Sequence, residues 1–344
     1  MFSYRLDSDR FIHCVKTALA CLIGFVITKS VHLYVDQWLI ITIIVVMCAQ
    51  INVGSMLQKS YMRFLGTLAG SMIAVLTLFC FDSNELALAV SISLSAMLFS
   101  YLATGEKYYS DAGTLGAVTV VIILINPVPT LFLAISRFIE ITIGIIIAAL
   151  ISQFVLPIHA RAHLRMTQAQ TLKKLRAYYL AALLTDQTNE TIESYQILDE
   201  DIAKFLIKQR KLAVDSSREF MGEKFYLYDF NQLLFAEKEI LRAISAMQHA
   251  YIASPHIKML FSNVAMLNHF HMGVCDVLEK IAKGIESQKI EKEIKLPDLS
   301  ALKSYIFSEA KKEQEEVVVY LYVFLYAAEQ MVKQLRQVLQ LVSI

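Results

Sequence analysis

The chain has 344 residues, 56% of them hydrophobic and 18% charged, with a formal net charge of +1. An ordinary soluble domain carries about 25% charged residues, so the composition argues against a wholly soluble protein and against a disordered one. The near-neutral balance has no basic stripe of the kind nucleic-acid binding needs, and nucleic acid is not an expected partner.

The average conceals a split. Residues 1–157 hold 16 charges, and the remaining 187 residues hold 47. The first part reads as a transmembrane domain (1–158) and the second as an α-helical cytoplasmic domain (159–344). The apolar runs are long and continuous, unlike the alternating segments of about ten residues in a β-barrel. A helix needs about 20 residues to cross the hydrocarbon core. The runs at 11–33, 37–58, 64–81, 86–105, 112–136 and 141–158 therefore predict six spans. The first has no compact basic start and no small-residue cleavage site, so it is expected to stay as an anchor. Lys16 and Lys29, at its two ends, are expected to snorkel to opposite faces.

Basic residues in short loops set orientation. Arg5, Arg10, Lys59, Arg63, Lys107, Arg161, Arg165, Lys173 and Lys174 fall on one side. Asp36, Asp82, Glu85 and the NPVPT turn at 126–130 fall on the other. Both termini and the second domain are thus expected to be cytoplasmic.

That second domain is helical by its 3–4 spacing of apolar residues, with helices predicted near 160–185, 191–214, 217–252, 256–287 and 298–342. Long amphipathic helices imply a bundle. Its uncharged run at 317–328 is too short to span and reads as core or as a dimer face. No phosphate-cradling loop, zinc-protease helix or nucleophile elbow occurs, so no enzyme is expected. His249, His256, His269 and His271 lie close in sequence but lack ligand spacing. The five cysteines form no framework, so no metal and no cofactor are expected.

Charges inside apolar runs carry the functional expectation. Arg137 and Glu140 are three apart and share a helix face. They read either as a fixed ion pair or as an anion-attracting arginine beside a proton-carrying carboxylate. Arg63 sits at an expected helix start, where the macrodipole disfavours a cation. Lipid phosphate, Asp111, Glu106 or an anionic substrate are its candidate partners. Gly66, Gly70 and Gly144 read as helix-packing positions.

Shifting the sequence by 74 aligns Asn52 with Asn126, Arg63-Phe64 with Arg137-Phe138, Gly70 with Gly144, Ile73-Ala74 with Ile147-Ala148 and Leu76 with Leu150. A duplication would pair spans one to three with spans four to six. Three spans per half would make a 3+3 inverted repeat, a transporter signature. The other reading is a recurrent interfacial arginine followed by a small-residue seam.

Several of these residues carry a resemblance. Trp38, Thr42, Asn52-Val53-Gly54, Lys59, Arg63, Gly66-Thr67 and Gly70, with Arg137, Glu140 and Gly144 as a second R-x2-E-x3-G stretch, resemble the fusaric acid resistance / aromatic acid exporter family of bacterial inner-membrane proteins. Plant aluminium-activated malate transporters look like distant relatives. The resemblance covers about residues 10–160. It implies export of small organic anions, aromatic carboxylic acids above all, driven by the proton gradient, with lipid around the spans and a periplasmic adaptor as partner. Arg137, Lys29 and Arg63 would contact the anion and Glu140 would carry the proton. Many members fuse two such units, so a homodimer is expected here. An anion channel of the malate-transporter type, and a membrane-anchored scaffold or sensor, remain the alternatives.

Overall fold

A computed structural model describes residues 8–31, 37–48, 52–82, 84–105, 109–126, 130–184, 189–219, 225–253, 255–261, 264–289 and 294–342. The described residues form thirteen α-helices and no strand. They divide into two compact units, one of residues 1–160 with 218–221, the other of 161–217 with 222–344.

The first unit contains α1 (Ser8–Val31), α2 (Gln37–Met47), α3 (Val53–Phe81), α4 (Glu85–Thr104), α5 (Ser110–Leu124) and α6 (Leu131–Phe154). The side chain of Asn84 accepts hydrogen bonds from the Leu86 and Ala87 amides and starts α4; Thr130 accepts from Leu133 and starts α6. Asn52 holds the N-cap position of α3 in extended conformation without a side-chain cap bond.

Four segments, Ser8–Ser30, Val53–Phe81, Glu85–Thr104 and Leu131–Phe154, are long and apolar enough to cross a membrane. The other two helices, α2 with 11 residues and α5 with 15, are apolar but shorter. At about 1.5 Å per residue they reach roughly 16 and 22 Å, against about 30 Å of hydrocarbon.

Two expected boundaries move. The run at 37–58 is not one helix: α2 ends at Met47 and α3 starts at Val53, so Lys59 and Arg63 lie inside α3 rather than in a loop before it. Residues 59–63 contain no helix breaker, and a charge is compatible with an α-helix interior. Likewise α6 begins at Leu131, so Arg137 and Glu140 sit in its second and third turns. Pro127 and Pro129, expected to break the chain here, lie outside the described residues, as do Glu106 and Lys107.

The 74-residue register recurs in the structure. Adding 74 to the bounds of α1, α2 and α3 gives 82–105, 111–121 and 127–155; α4, α5 and α6 occupy 85–104, 110–124 and 131–154. The packing follows the same rule. α3 lies along α5 as α6 lies along α2, and α4 packs on α5 as α1 packs on α2. Asp82 and Leu156, 74 apart, follow α3 and α6 and share a positive φ, 49° and 45°. Two apolar cores result. Val46 and Ala148 belong to one, with Leu39, Ile43 and Met56, and their counterparts Val120 and Ala74 to the other, with Phe99, Ile123 and Leu124. Phe64 and Phe138, also 74 apart, touch each other with ring centroids 5.8 Å apart. A residue that meets its own counterpart marks a pseudo-two-fold axis, so the axis passes between α3 and α6 at this pair.

Glycines set the closest approaches. A Cβ at Gly66 would collide with the Ala112 carbonyl oxygen of α5. At Gly70 it would lie 2.6 Å from the Gly116 oxygen, and at Gly144 2.9 Å from the Leu39 oxygen of α2.

The second unit contains most of α7 (Ala160–Leu183), with α8 (Asn189–Ser216), α9 (Leu227–Ile252), α10 (Pro255–Phe261), α11 (Ala265–Ser287), α12 (Ser300–Ala310) and α13 (Glu315–Val342). Here α13 packs along α9, and α11 closes on α12 and α13. Leu172, Leu175, Tyr179, Ile240, Ile244, Phe270, Phe324 and Leu335 form its buried interior. The helix expected at 217–252 starts only at Leu227, and those expected at 256–287 and 298–342 are each two helices. The joint at 311–314 reads KKEQ, all good helix formers. The reversal there comes from the apolar faces of α12 and α13 closing on each other, which local propensity does not register.

Candidate functional site

Among the described residues of the first unit, five charged side chains are at most 6% exposed: Lys16, Arg63, Arg137, Glu140 and Glu219. Three of them gather where α2, α3 and α6 meet.

Arg63, eleven residues into α3, turns toward α2. Its Nη2 donates to the Thr42 hydroxyl at 3.3 Å. Its Nε and Nη1 have no hydrogen-bond partner among the described residues. Asp111, one of its expected acidic partners, pairs instead with Lys59 at 3.6 Å. On α6, Arg137 Nη1 lies 3.5 Å from Glu140 Oε2. Its guanidinium also lies over the Trp38 ring of α2, 4.9 Å from the centroid, in cation–π geometry. The Phe64–Phe138 pair lies one residue along from each arginine. The site is thus two arginines related by the 74-residue register, one carboxylate, one hydroxyl and three aromatic rings.

Lys29 is not one of the buried charges. It is exposed at the end of α1, with its ammonium over the Phe25 ring one turn back, 6.0 Å from the centroid. Lys16 departs from expectation. It does not snorkel: it is fully buried, and its Nζ donates to the Ser152 and Leu156 carbonyls at 3.2 and 3.3 Å, capping the C-terminal end of α6. A lysine aimed at a helix C-terminus is favoured by the macrodipole. The sequence signal for this, a cation inside an apolar run, was the same one that marked Arg137. Thr42 and Trp38 had none beyond their place in the family-like stretch.

In the second unit, Tyr179 donates to, or accepts from, His271 Nδ1 at 2.7 Å. Burial lowers the His271 pKa to about 4, so the ring is neutral near pH 7. His256 pairs with Glu313 at 3.0 Å. No group of three or more His, Cys, Asp or Glu that could hold a metal occurs among the described residues.

The Fusaric acid resistance protein family matches residues 10–223. Among curated proteins, the chain is 25% identical over 213 residues to "Inner membrane protein YeeA" of Escherichia coli (strain K12), covering 61% of this chain and 58% of that protein. It is 31% identical over 158 residues to "Multidrug resistance protein MdtO" of Shigella flexneri and of Escherichia coli (strain K12), covering 44% of this chain and 23% of theirs. The matched part is thus under two thirds of each relative. With four helices of spanning length and a family match over most of its residues, the chain is a membrane protein and belongs to the fusaric acid resistance protein family.

Proposed function

We propose that the chain exports small organic anions, aromatic carboxylic acids above all, across the bacterial inner membrane. The proton gradient drives it, and it is not an enzyme. The observation that carries this reading is Arg63: a buried guanidinium whose one hydrogen bond among the described residues goes to a neutral hydroxyl. An unpaired charge at membrane depth is costly and is retained for function. The chemistry that relieves it is a carboxylate. Trp38, Phe64 and Phe138 supply aromatic surface beside the two arginines.

Arg63 and Arg137 hold the substrate carboxylate in turn, and Glu140 carries the coupling proton. Lys29 attracts anions from the outer end of α1. The short helices α2 and α5 occupy corresponding positions in the two repeats, which is where transporter folds place their sites. Six segments cross the membrane as a 3+3 inverted repeat. Both termini are cytoplasmic, and so is the helical bundle of the second unit. The chain works as a homodimer with a periplasmic adaptor; the multidrug-resistance name of one relative fits an efflux role.

The test is uptake of labelled 4-hydroxybenzoate into proteoliposomes, with and without an imposed pH gradient. Wild type should accumulate the acid only with the gradient. Arg63→Gln should abolish flux, and Glu140→Gln should leave flux that ignores the gradient. Wild-type flux that ignores the gradient would replace the exporter with a channel. Absence of flux for any aromatic or dicarboxylic acid would overturn the transport reading.

A further inference from the structure

Beside their two corresponding arginines, the repeats differ in one carboxylate. In the 74-residue register Arg63 corresponds to Arg137, but Glu140 corresponds to Gly66. Gly66 has no room for an acid, because even a Cβ there would strike the Ala112 carbonyl. One arginine therefore has a carboxylate one helical turn away at 3.5 Å, and the other has a threonine hydroxyl at 3.3 Å.

The neighbouring charges do not even this out. On α1, Lys16 is engaged with the Ser152 and Leu156 carbonyls and His13 with the Met47 carbonyl. α2 contains no titratable residue. On α3, Lys59 is paired with Asp111, the one titratable side chain of α5. On α6, Arg137 and Glu140 are the only charged residues.

We propose that the first unit holds two anion sites of unequal kind: one at Arg63 that is available whether or not Glu140 is ionised, and one at Arg137 that becomes available only when Glu140 takes a proton. This rests on the anion-transport reading above. With Glu140 ionised, the cluster of Arg63, Arg137 and Glu140 carries a net charge of +1, which one monoanion neutralises. A proton on a Glu140 oxygen cancels the carboxylate charge and releases the Arg137 guanidinium. The cluster then carries +2 and takes a second monoanion, or both carboxylates of a dianion. Proton uptake thereby changes how many anions bind rather than whether any binds.

The chain contains a single tryptophan, Trp38, and it lies over Arg137. Its emission reports on the second site. The experiment uses the full chain in lipid nanodiscs, with radiolabelled benzoate as probe and benzenesulfonate, which stays ionised throughout, as control. Binding stoichiometry and Trp38 emission are read at pH 8.5 and 5.5. Wild type should bind one anion per chain at pH 8.5 with emission unchanged, and two at pH 5.5 with the second shifting the emission. Glu140→Gln should bind two at both values. Arg63→Gln should bind none at pH 8.5 and one at pH 5.5, and the site it keeps at pH 5.5 shows that the variant is folded. Equal stoichiometry at both pH values, unchanged in Glu140→Gln, would overturn this proposal and leave the transport reading standing. So would a first anion that shifts Trp38 and survives in Arg63→Gln. Absence of binding at either pH would overturn both.

Discussion

Glu237 of α9 is fully buried in the second unit, and its protonation should govern how that unit's stability varies with pH. Gln209 Nε2 donates to its Oε2 at 2.8 Å and to the Thr171 hydroxyl at 2.7 Å, and Thr171 donates onward to the Thr167 carbonyl at 2.8 Å. The chain of bonds is neutral and contains no cation. Burial therefore pushes the carboxyl from 4.5 up to about 8, against a smaller downward pull from Gln209. Below 4.5 both folded and unfolded chains are protonated, and the native state keeps its full advantage. Between 4.5 and 8 the unfolded chain holds fewer protons than the native one, so stability falls as pH rises, by about 1.4 kcal/mol per unit. Above 8 the fall ends, after a loss of up to ~5 kcal/mol. Glu237→Gln keeps the shape and removes the titration. It should lie within about 1 kcal/mol of wild type at pH 5, the worth of an altered hydrogen bond, and exceed it by several kcal/mol at pH 9. Hydrogen exchange of the α9 core amides in the full chain, corrected for intrinsic rates, measures this as an opening free energy. Parallel pH profiles for the two proteins would refute the reasoning.

Two further outcomes follow from the packing of the first unit. Gly66→Val should lower the thermal midpoint of the detergent-solubilised protein, by the 1–3 kcal/mol typical of overpacking, because its side chain must displace the α5 backbone. Gly105→Ala should leave the midpoint unchanged, since the nearest atom to a Cβ there is 3.4 Å away. Lys16→Met should cost about 1–3 kcal/mol, the penalty for stranding a buried acceptor, here the Ser152 carbonyl, with the half-buried Leu156 carbonyl beside it. Faster exchange confined to the last turn of α6 would locate that loss. An unchanged midpoint would mean that those carbonyls find other donors.

Residues 52–76 and 126–150 already spell out the repeat, and Arg63, Arg137 and Glu140 stand out in the sequence because a charge in an apolar run is rare. Their partners do not. Thr42 and Trp38 are neutral residues in a run where most positions face lipid or core, and only the fold tells which of them faces a guanidinium. Helix ends escape the sequence for a related reason. The edges of charge-free runs mark changes in polarity, whereas α2 stops at Met47, well inside one such run, and α3 carries Lys59 and Arg63 within its length. Lys16 shows the same limit: hydropathy registers its charge but not the end of α6, more than 130 residues away, that it caps. In the second unit the apolar spacing marks the helical stretches, but the joint at 311–314 carries neither glycine nor proline, so local sequence does not mark it.

The charge difference between the repeats has a steric origin. Two helices that touch through glycine bring their backbones together, and α3 does this against α5 at Gly66 and Gly70. At the corresponding place in the second repeat the neighbour of α6 is α2. There the counterpart of Ala112 is Trp38, a residue whose bulk holds space beside Arg137. Glu140 is accommodated with Trp38 beside its arginine, and no acid fits at Gly66 because a Cβ there strikes the Ala112 carbonyl. Packing and charge are therefore one decision at this position. The close contact between α3 and α5 is also what bars an acid one turn beyond Arg63 on its own helix. A duplicated half that kept both arginines and tightened one interface would arrive at this asymmetry without selection acting on charge directly, and an anion from solution would be the remaining way to neutralise the first arginine.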